Sequence, residues 1–151
     1  MKLKERKLKE CDEMLFENKQ IFIVDDDASV CRALGVLLVT YGFVVDTYTC
    51  AENFFRVVPN SVPGCLLLDI HMPGLDGWEA QQRLIKSGSS RPVIVMSAEK
   101  NHKLNKKAIK AGAVGFLQKP FNDRELVDLI NVALGKKGTT DSTKNLKVPK
   151  L

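Results

Sequence analysis

Five short runs of β-branched and aliphatic residues recur along the chain at nearly constant spacing. The runs begin at residues 21, 43, 65, 92 and 114, so successive starts lie 22, 22, 27 and 22 residues apart. A segment with helical periodicity follows each run. This spacing is too long for β-hairpins and fits repeated strand–helix units, which build a parallel sheet with helices on both faces. The sequence therefore predicts an α/β fold with strands at residues 21–24, 43–47, 65–68, 92–96 and 114–117.

Each predicted helix is supported by apolar periodicity and by residues that favour helix ends. The helices run from 28 to 41, from a capping box at Thr49 to near Pro59, from 76 to 86, from 99 to 111, and from a cap at Asn122 to Gly135. In the two capping boxes, Glu52 and Glu125 would bind back to the chain at the cap. The fourth helix is the most polar, and its predicted apolar stripe consists of Leu104, Ala108 and Ile109.

The composition, with 44% hydrophobic and 27% charged residues among 151, is that of one ordinary globular domain. The longest nearly apolar stretch, residues 33–45, is shorter than the roughly 18 residues that span a bilayer, so no membrane segment is expected. The N-terminus lacks the apolar segment of a secretory signal. The four cysteines form no C-x-x-C unit, which argues against zinc and fits reduced thiols in the cytoplasm.

The net charge of +5 is concentrated at the chain ends, because residues 1–20 contribute +1 and residues 136–151 contribute +4. The globular part is neutral, so we expect no direct binding of nucleic acid. We predict a charged N-terminal extension at 1–19 that could form a helix, a domain at 20–135, and a flexible basic tail at 136–151. The helix of the extension would carry Leu8, Cys11 and Leu15 on one side.

Chemically active side chains follow four of the five predicted strands. They are Asp25, Asp26 and Asp27 after the first, Asp69 after the third, Ser97 after the fourth and Lys119 after the fifth. Because ligands of open α/β sheets bind beyond the carboxyl ends of the strands, we expect these groups to meet at one edge.

Each of these groups also has a purely structural explanation. Asp27 alone is best explained as the N-cap of the next helix, Ser97 alone as a helix cap, and Lys119 alone as a surface cation. Asp25 and Asp26 differ, because adjacent carboxylates repel unless a cation neutralises them, and Mg²⁺ prefers such hard oxygen ligands. Taken together with Asp69, Ser97 and Lys119, they supply the nucleophile, the metal site, the hydroxyl donor and the positive charge that phosphoryl transfer to a carboxylate requires.

The chain resembles the receiver domain of two-component response regulators over about residues 20–135. The motifs that carry the resemblance are IFIVDDD (21–27), LLLDIHMPGLDGWE (66–79), VIVMSAE (93–99) and AGAVGFLQKPF (111–121). The resemblance implies a flavodoxin-like (CheY-like) doubly wound fold, a five-stranded parallel sheet in the order 2-1-3-4-5 with five helices. Gly77, at the end of the loop after Asp69, would let the backbone pass close to the next helix.

The resemblance also implies the chemistry of the site. Asp69 would accept a phosphoryl group from a phosphohistidine on a sensor histidine kinase or a phosphotransfer domain. The Mg²⁺ ligands would be Asp25, Asp26, one oxygen of Asp69 and the main-chain carbonyl of His71. Lys119 would pair with a phosphoryl oxygen, through a Lys119–Pro120 peptide that is cis in the family.

Two further residues are expected to transmit the phosphorylation state. Ser97 would move to bind the phosphoryl group and Phe116 would turn inward, so that a downstream protein contacts the face of the fourth helix, fifth strand and fifth helix. The chain would be a switch rather than an enzyme, and it could dimerise on phosphorylation. Residues 136–151 are too few for a DNA-binding output domain, so we expect output by protein contact, phosphotransfer or dimerisation. His71 and Glu99 would tune the lifetime of the acyl phosphate.

Several alternatives remain open from the sequence. A phosphatase with an aspartate nucleophile would place a second aspartate where this chain has His71, and a flavin-phosphate binder would not place three aspartates after the first strand. A receiver that binds its partner without phosphorylation, or one piece of a larger protein such as a hybrid kinase, would share the same motifs.

Overall fold

The computed structural model describes residues 18–135, which form five strands and five helices in strict alternation. The strands are β1 (Gln20–Val24), β2 (Val44–Tyr48), β3 (Cys65–Asp69), β4 (Val93–Ser97) and β5 (Gly115–Gln118). The helices are α1 (Ala28–Thr40), α2 (Ala51–Val57), α3 (Gly77–Lys86), α4 (His102–Lys110) and α5 (Asp123–Ala133). The predicted helix at the N-terminus and the predicted flexible tail at 136–151 lie outside the described residues.

All strand pairs are parallel, and the sheet has the order β2-β1-β3-β4-β5. The predicted doubly wound α/β fold with five helices is therefore confirmed. Chain order reverses between β1 and β3, so the two strands that end in aspartate-rich sequence lie side by side at the switch point. No helix within residues 18–135 is long and apolar enough to cross a lipid bilayer.

The core consists of two apolar layers, one on each face of the sheet. Alternate residues of each central strand point to opposite faces, so Phe22 and Leu66 enter one layer while Ile21 and Leu67 enter the other. The first layer is closed by α2, α3 and α4, and the second by α1 and α5. Strands β3 and β4 are buried along their whole length, as the continuous apolar runs in the sequence indicate.

Helix caps confirm most of the predicted helix starts. Asp27 caps α1 by accepting hydrogen bonds from the main-chain N–H groups of Ser29 and Val30, and Asn122 forms the predicted capping box with Glu125. The predicted capping box at Thr49 is wrong. Cys50 is the last extended residue before α2, so Glu52 is one position too early for a capping box and instead accepts a hydrogen bond from the main-chain N–H of Leu75 at 3.3 Å.

Helix α4 differs from its prediction at both its start and its apolar face. It begins at His102 rather than near 99, because the hydroxyl of Ser97 accepts a hydrogen bond from the main-chain N–H of Glu99 and Asn101 supplies the cap. Leu104 and Ala108 are buried as predicted, but Ile109 is 49% exposed. One residue after Ala108 is about 100° further around a helix, so Ile109 cannot share the buried stripe.

Candidate functional site

Three carboxylates meet at the carboxyl ends of β1 and β3. Asp25, Asp26 and Asp69 each place one oxygen within 4.8 Å of the others. Asp25 and Asp69 are buried, with 1% and 5% of their surface exposed, while Asp26 faces solvent. Parallel pairing of β1 with β3 aligns Val24 with Leu68, which brings the residues that follow each strand together.

Asp27 stands apart from this cluster although it continues the same run of aspartates. Its carboxylate caps α1, and its main-chain N–H donates to Asp25 Oδ1 at 2.9 Å. The structural explanation for Asp27 is therefore confirmed. That hydrogen bond also fixes the orientation of the Asp25 carboxylate.

Lys119 reaches the carboxylates from the end of β5. Its Nζ lies 2.7 Å from Asp25 Oδ2 and 3.9 Å from Asp69 Oδ1. The main-chain N–H of Lys119 donates to the carbonyl of Ser97 at 2.7 Å, and the Lys119–Pro120 peptide is cis. The lysine is thus held against β4 at its backbone while its ammonium group partly offsets the negative charge of the cluster.

The electrostatics of Asp69 reflect this crowding. Burial and, to a smaller extent, the charge of Asp25 raise the pKa of Asp69 to about 6, against the opposing effects of Lys119 and of the main-chain N–H of His71. A carboxylate cluster of this kind favours a bound cation. Oxygen ligands of carboxylate type suit Mg²⁺, so the donor set fits the predicted ion.

The loop that follows Asp69 is fixed by a close backbone contact at the start of α3. A Cβ atom added to Gly77 would lie 2.5 Å from the carbonyl oxygen of Asp69 and 2.5 Å from the Cα of Ile70. Only glycine fits this approach, so the predicted need for glycine is confirmed, but the predicted neighbour is wrong: the close contact is with Asp69 and Ile70 at the end of β3 and not with a helix. Glu52 of α2 holds the same loop at Leu75.

The two expected switch residues lie on neighbouring strands. Ser97 ends β4 fully buried, with its hydroxyl oxygen accepting a hydrogen bond from the main-chain N–H of Glu99 at 3.0 Å. Phe116 lies in β5, aligned with Val95 of β4, and it is partly buried against the layer closed by α2, α3 and α4.

One contact at this edge was not predicted. His71 Nε2 lies 3.0 Å from Glu99 Oε2, and both side chains are about half exposed. The contact joins the loop after Asp69 to the loop after Ser97. The sequence indicates both residues as neighbours of the site, but only the three-dimensional arrangement shows that they bind each other.

Comparison with known proteins agrees with this geometry. The response regulator receiver domain family matches residues 21–131, which is most of the chain. This chain belongs to that family.

Relatives and solved structures similar to this receiver are themselves regulators. The chain is 40% identical over 114 residues to the response regulator protein TodT of Pseudomonas putida, covering 76% of this chain and 50% of TodT. It is 38% identical over 114 residues to the transcriptional regulatory protein FixJ of Bradyrhizobium diazoefficiens, covering 76% of this chain and 56% of FixJ. A response regulator receiver protein from Burkholderia phymatum, 39% identical, superimposes with a TM-score of 0.70 over 79% of this chain and 97% of that one.

The chain spans about half the length of the curated relatives it matches. The similarity therefore concerns only part of each relative. The five parallel strands in the order 2-1-3-4-5 are the CheY-like arrangement of this family.

Proposed function

We propose that this receiver accepts a phosphoryl group on Asp69 from the phosphohistidine of a sensor histidine kinase or a phosphotransfer domain. The observation that carries the proposal is the placement of Asp69. Its buried carboxylate lies at the carboxyl end of β3, within 4.8 Å of one oxygen of Asp25 and one of Asp26 and 3.9 Å from the Lys119 ammonium group. Regulatory relatives such as TodT and FixJ support a signalling switch rather than an enzyme that turns over a separate substrate.

The ligands of Mg²⁺ would be Asp25, Asp26, Asp69 and the main-chain carbonyl of His71. When bound, the ion supplies positive charge that offsets the charge of the incoming phosphoryl group. The pKa of Asp69 is raised to about 6 by burial first and by the charge of Asp25 second, and a bound cation would oppose both effects by favouring the ionised carboxylate.

Asp69 acts as the nucleophile in this proposal. A carboxylate oxygen forms the new P–O bond while the P–N bond to the donor imidazole breaks, and the electron pair of that bond returns to the nitrogen. Lys119 orients a phosphoryl oxygen and stabilises its charge. With a pKa of about 6, Asp69 is mostly ionised at neutral pH and so able to attack.

Phosphorylation then biases a two-state equilibrium. The Ser97 hydroxyl leaves the main-chain N–H of Glu99 to donate to a phosphoryl oxygen, and Phe116 turns toward the space that Ser97 vacates. A downstream protein would contact the face formed by α4, β5 and α5, and a second phosphorylated copy is another partner consistent with the family. The described cysteines, Cys31, Cys50 and Cys65, are free thiols, which suits a cytoplasmic protein.

The test is the mass of the intact protein after incubation with acetyl phosphate and Mg²⁺. We expect the gain of one phosphoryl group by the native chain and none by Asp69→Asn or in the presence of EDTA. Asp27→Asn is the matched control, because it removes a neighbouring carboxylate outside the cluster and leaves a good cap. Absence of a gain under every condition would instead support a receiver that binds its partner without phosphorylation.

A further inference from the structure

Arg91 is a buried cation that the phosphoryl chemistry does not use. It precedes β4 at the amino end of the sheet, whereas Asp69 lies at the carboxyl end. Only 7% of its surface is exposed. The central carbon of its guanidinium group lies 5.2 Å from the centre of the Phe22 ring and 5.3 Å from that of Phe54, so the charge sits against two aromatic rings of the core.

Two further cation–ring contacts within residues 18–135 show how Arg91 differs. The Arg83 guanidinium lies 4.6 Å from the centre of the Phe55 ring, and the Lys107 ammonium of α4 lies 4.3 Å from the centre of the Trp78 ring of α3. Both of these cations are on exposed residues and keep contact with water. Arg91 is buried, so its charge must be stabilised by its neighbours.

The hydrogen bonds of Arg91 use only one of its three side-chain nitrogens. Nη2 donates to the main-chain carbonyls of Pro59 at 2.9 Å and Val62 at 2.6 Å, which holds the loop between α2 and β3. Nε and Nη1 are buried and have no hydrogen-bond partner within residues 18–135. Unpaired buried donors are uncommon in folded proteins, because each has lost its hydrogen bonds to water without replacement.

The positive charge of Arg91 is also unpaired in the described part of the chain. The ion pairs found there are those of His71 and Lys119 with their acidic partners. Burial lowers the pKa of Arg91, since the charged form is the one that loses hydration. An arginine nevertheless stays protonated at neutral pH. The two rings and two carbonyls offset part of this cost, but residues 18–135 place no carboxylate beside the charge.

A cavity of about 220 Å³ adjoins Arg91 at the amino end of the sheet. We call it the basal cavity, and its lining includes Asn18, Ser61, Ser90 and Leu134. Arg91 is the only charged residue among the described residues that line it. The volume is below the roughly 300–1,000 Å³ of sites for drug-sized ligands, so the cavity suits a small molecule or a single side chain.

We propose that the basal cavity is a binding site for a carboxylate group. A carboxylate carries one negative charge, which balances the single charge of Arg91, and its two oxygens match the guanidinium fork. A phosphate group carries a charge of about −1.5 to −2 and would lack a second cation among the lining residues.

The side chain of Arg91 has to turn for this ligand to bind fully. Nε and Nη1 are closed to solvent, so a carboxylate that enters the cavity first meets its polar lining, which includes Ser61 and Ser90. The buried charge attracts the ligand from that position, because Coulomb interactions extend over several ångströms where the dielectric constant is low. A rotation of the guanidinium group then lets the unused N–H groups donate to the carboxylate.

Two sources can supply the carboxylate. One is a small free acid, for which succinate is a suitable probe. The other is Glu17, which directly precedes Asn18 of the cavity lining in the sequence. Neither source involves Asp69, so the inference is independent of the proposed function.

The experiment is a titration of the full chain with sodium succinate in the presence of EDTA, followed by NMR of the arginine Nε–H groups. We expect the Arg91 signal to shift and to saturate with a dissociation constant of about 1–10 mM, whereas sodium chloride at equal ionic strength leaves it in place. Loss of the signal in Arg91→Lys assigns it. Arg83→Lys is the matched control, because Arg83 also lies over a ring but is exposed and outside the cavity lining.

The unfolding temperature tests the same site without assignment of a signal. Succinate should raise the unfolding temperature of the native chain along a saturating curve. Arg91→Lys keeps the charge but loses the fork, so it should weaken succinate binding by about tenfold or more. Circular dichroism checks that the variant is folded, and the NMR titration of the native chain tests the proposal if it is not. A linear rise shared by both chains is the general effect of a salt on burial and would overturn the proposal.

Glu17→Gln separates the two sources. If Glu17 fills the cavity, this variant is less stable than the native chain and only the variant responds to succinate. If a free acid fills the cavity, the native chain and Glu17→Gln respond alike. Both results support a carboxylate site beside Arg91. The absence of a saturating response in both chains, or its loss in Arg83→Lys, would contradict the proposal.

Discussion

Lys119 is bound to Asp25 more closely than to Asp69. Its Nζ lies 2.7 Å from Asp25 Oδ2, against 3.9 Å from Asp69 Oδ1. Lys119, which is expected to pair with the phosphoryl group, thus binds Asp25, one of the proposed Mg²⁺ ligands. Metal and lysine therefore compete for the charge of Asp25, and metal binding should release Lys119 toward Asp69.

Replacement of Lys119 by methionine should separate its competition with Mg²⁺ for Asp25 from its pairing with the phosphoryl group. Loss of the ammonium charge removes the cation that residues 18–135 place beside the three carboxylates, so Mg²⁺ should bind more tightly, by roughly threefold to tenfold. Phosphorylation by acetyl phosphate should become slower, because the phosphoryl oxygens lose their partner. Isothermal titration with MgCl₂ measures the first effect and intact mass the second. Lys86→Met at the end of α3 is the control, and an unchanged or weaker affinity for Mg²⁺ would contradict the competition.

The raised pKa of Asp69 predicts how the free energy of unfolding changes with pH. Its folded-state pKa is raised from 3.8 to about 6, so the folded state binds the proton more tightly than the unfolded state. The protonated carboxyl group therefore makes its full contribution to the free energy of unfolding below pH 3.8, and this contribution is lost as the pH rises through about 6. Asp69→Asn should therefore stabilise the metal-free protein at pH 7 by about 1–3 kcal/mol and have much less effect near pH 4.

Urea unfolding at the two pH values, without metal, measures this difference in the free energy of unfolding. Asp27→Asn is the control, since it keeps a capping side chain and lies outside the carboxylate cluster. If Asp69→Asn is no more stable than the native chain at pH 7, the negative charge of Asp69 does not destabilise the folded state.

The contact between His71 and Glu99 should influence the lifetime of the aspartyl phosphate. The 3.0 Å contact joins the loop after Asp69 to the loop after Ser97, so we expect it to restrict the approach of water to a phosphoryl group on Asp69. Replacement of both residues by alanine should accelerate loss of the phosphoryl group by a few-fold. Both side chains are half exposed, so little change in stability is expected.

The phosphoryl group is followed by mass after acetyl phosphate is removed in the presence of Mg²⁺. A double-mutant cycle from the two single variants separates the contact from the individual side chains. An unchanged rate in the double variant would refute a role for this pair, and strictly additive single effects would show that each residue acts by itself.

Gly77 offers a test of how the backbone positions Asp69. In Gly77→Ala the new Cβ would meet the Asp69 carbonyl and the Ile70 backbone at 2.5 Å, and neither can move without displacing β3. We expect a loss of stability of about 1–3 kcal/mol and weaker binding of Mg²⁺. Gly35→Ala is the matched control: its Cβ would have its nearest contact, Val45 Cγ1, at 3.9 Å, and in the middle of α1 it should stabilise by about 0.5–1 kcal/mol. Equal effects of the two substitutions in urea unfolding would contradict this account.

The sequence predicts the order of elements well because strand–helix repetition is a strong periodic signal. Every predicted strand is present and lies within one or two residues of its expected bounds. Caps that depend on three or four consecutive residues, such as Asn122 with Glu125, are also predicted, since both partners are local in sequence. The bringing together of Asp25, Asp26 and Asp69 follows from the parallel topology alone.

The sequence predicts that distant groups meet at one edge of the sheet, but it does not predict which individual side chains bind each other. Lys119 and Asp25 are 94 residues apart, and their pairing depends on side-chain conformations that no local pattern encodes. Glu52 does not form the predicted cap, because α2 begins one residue later than expected, and it instead accepts a hydrogen bond from the main-chain N–H of Leu75, 23 residues away. Ile109 was assigned to the core because its hydrophobicity alone does not determine which side of a polar helix is buried.

Trp78 is the single tryptophan of the chain, and the Lys107 ammonium of α4 lies 4.3 Å from the centre of its ring. Indole emission responds to a nearby charge, so the protein contains its own optical probe of where α4 lies relative to α3. Stopped-flow fluorescence after mixing with acetyl phosphate could time the movement of α4 on an unlabelled chain, with Lys107→Met as the variant that removes the charge beside the indole.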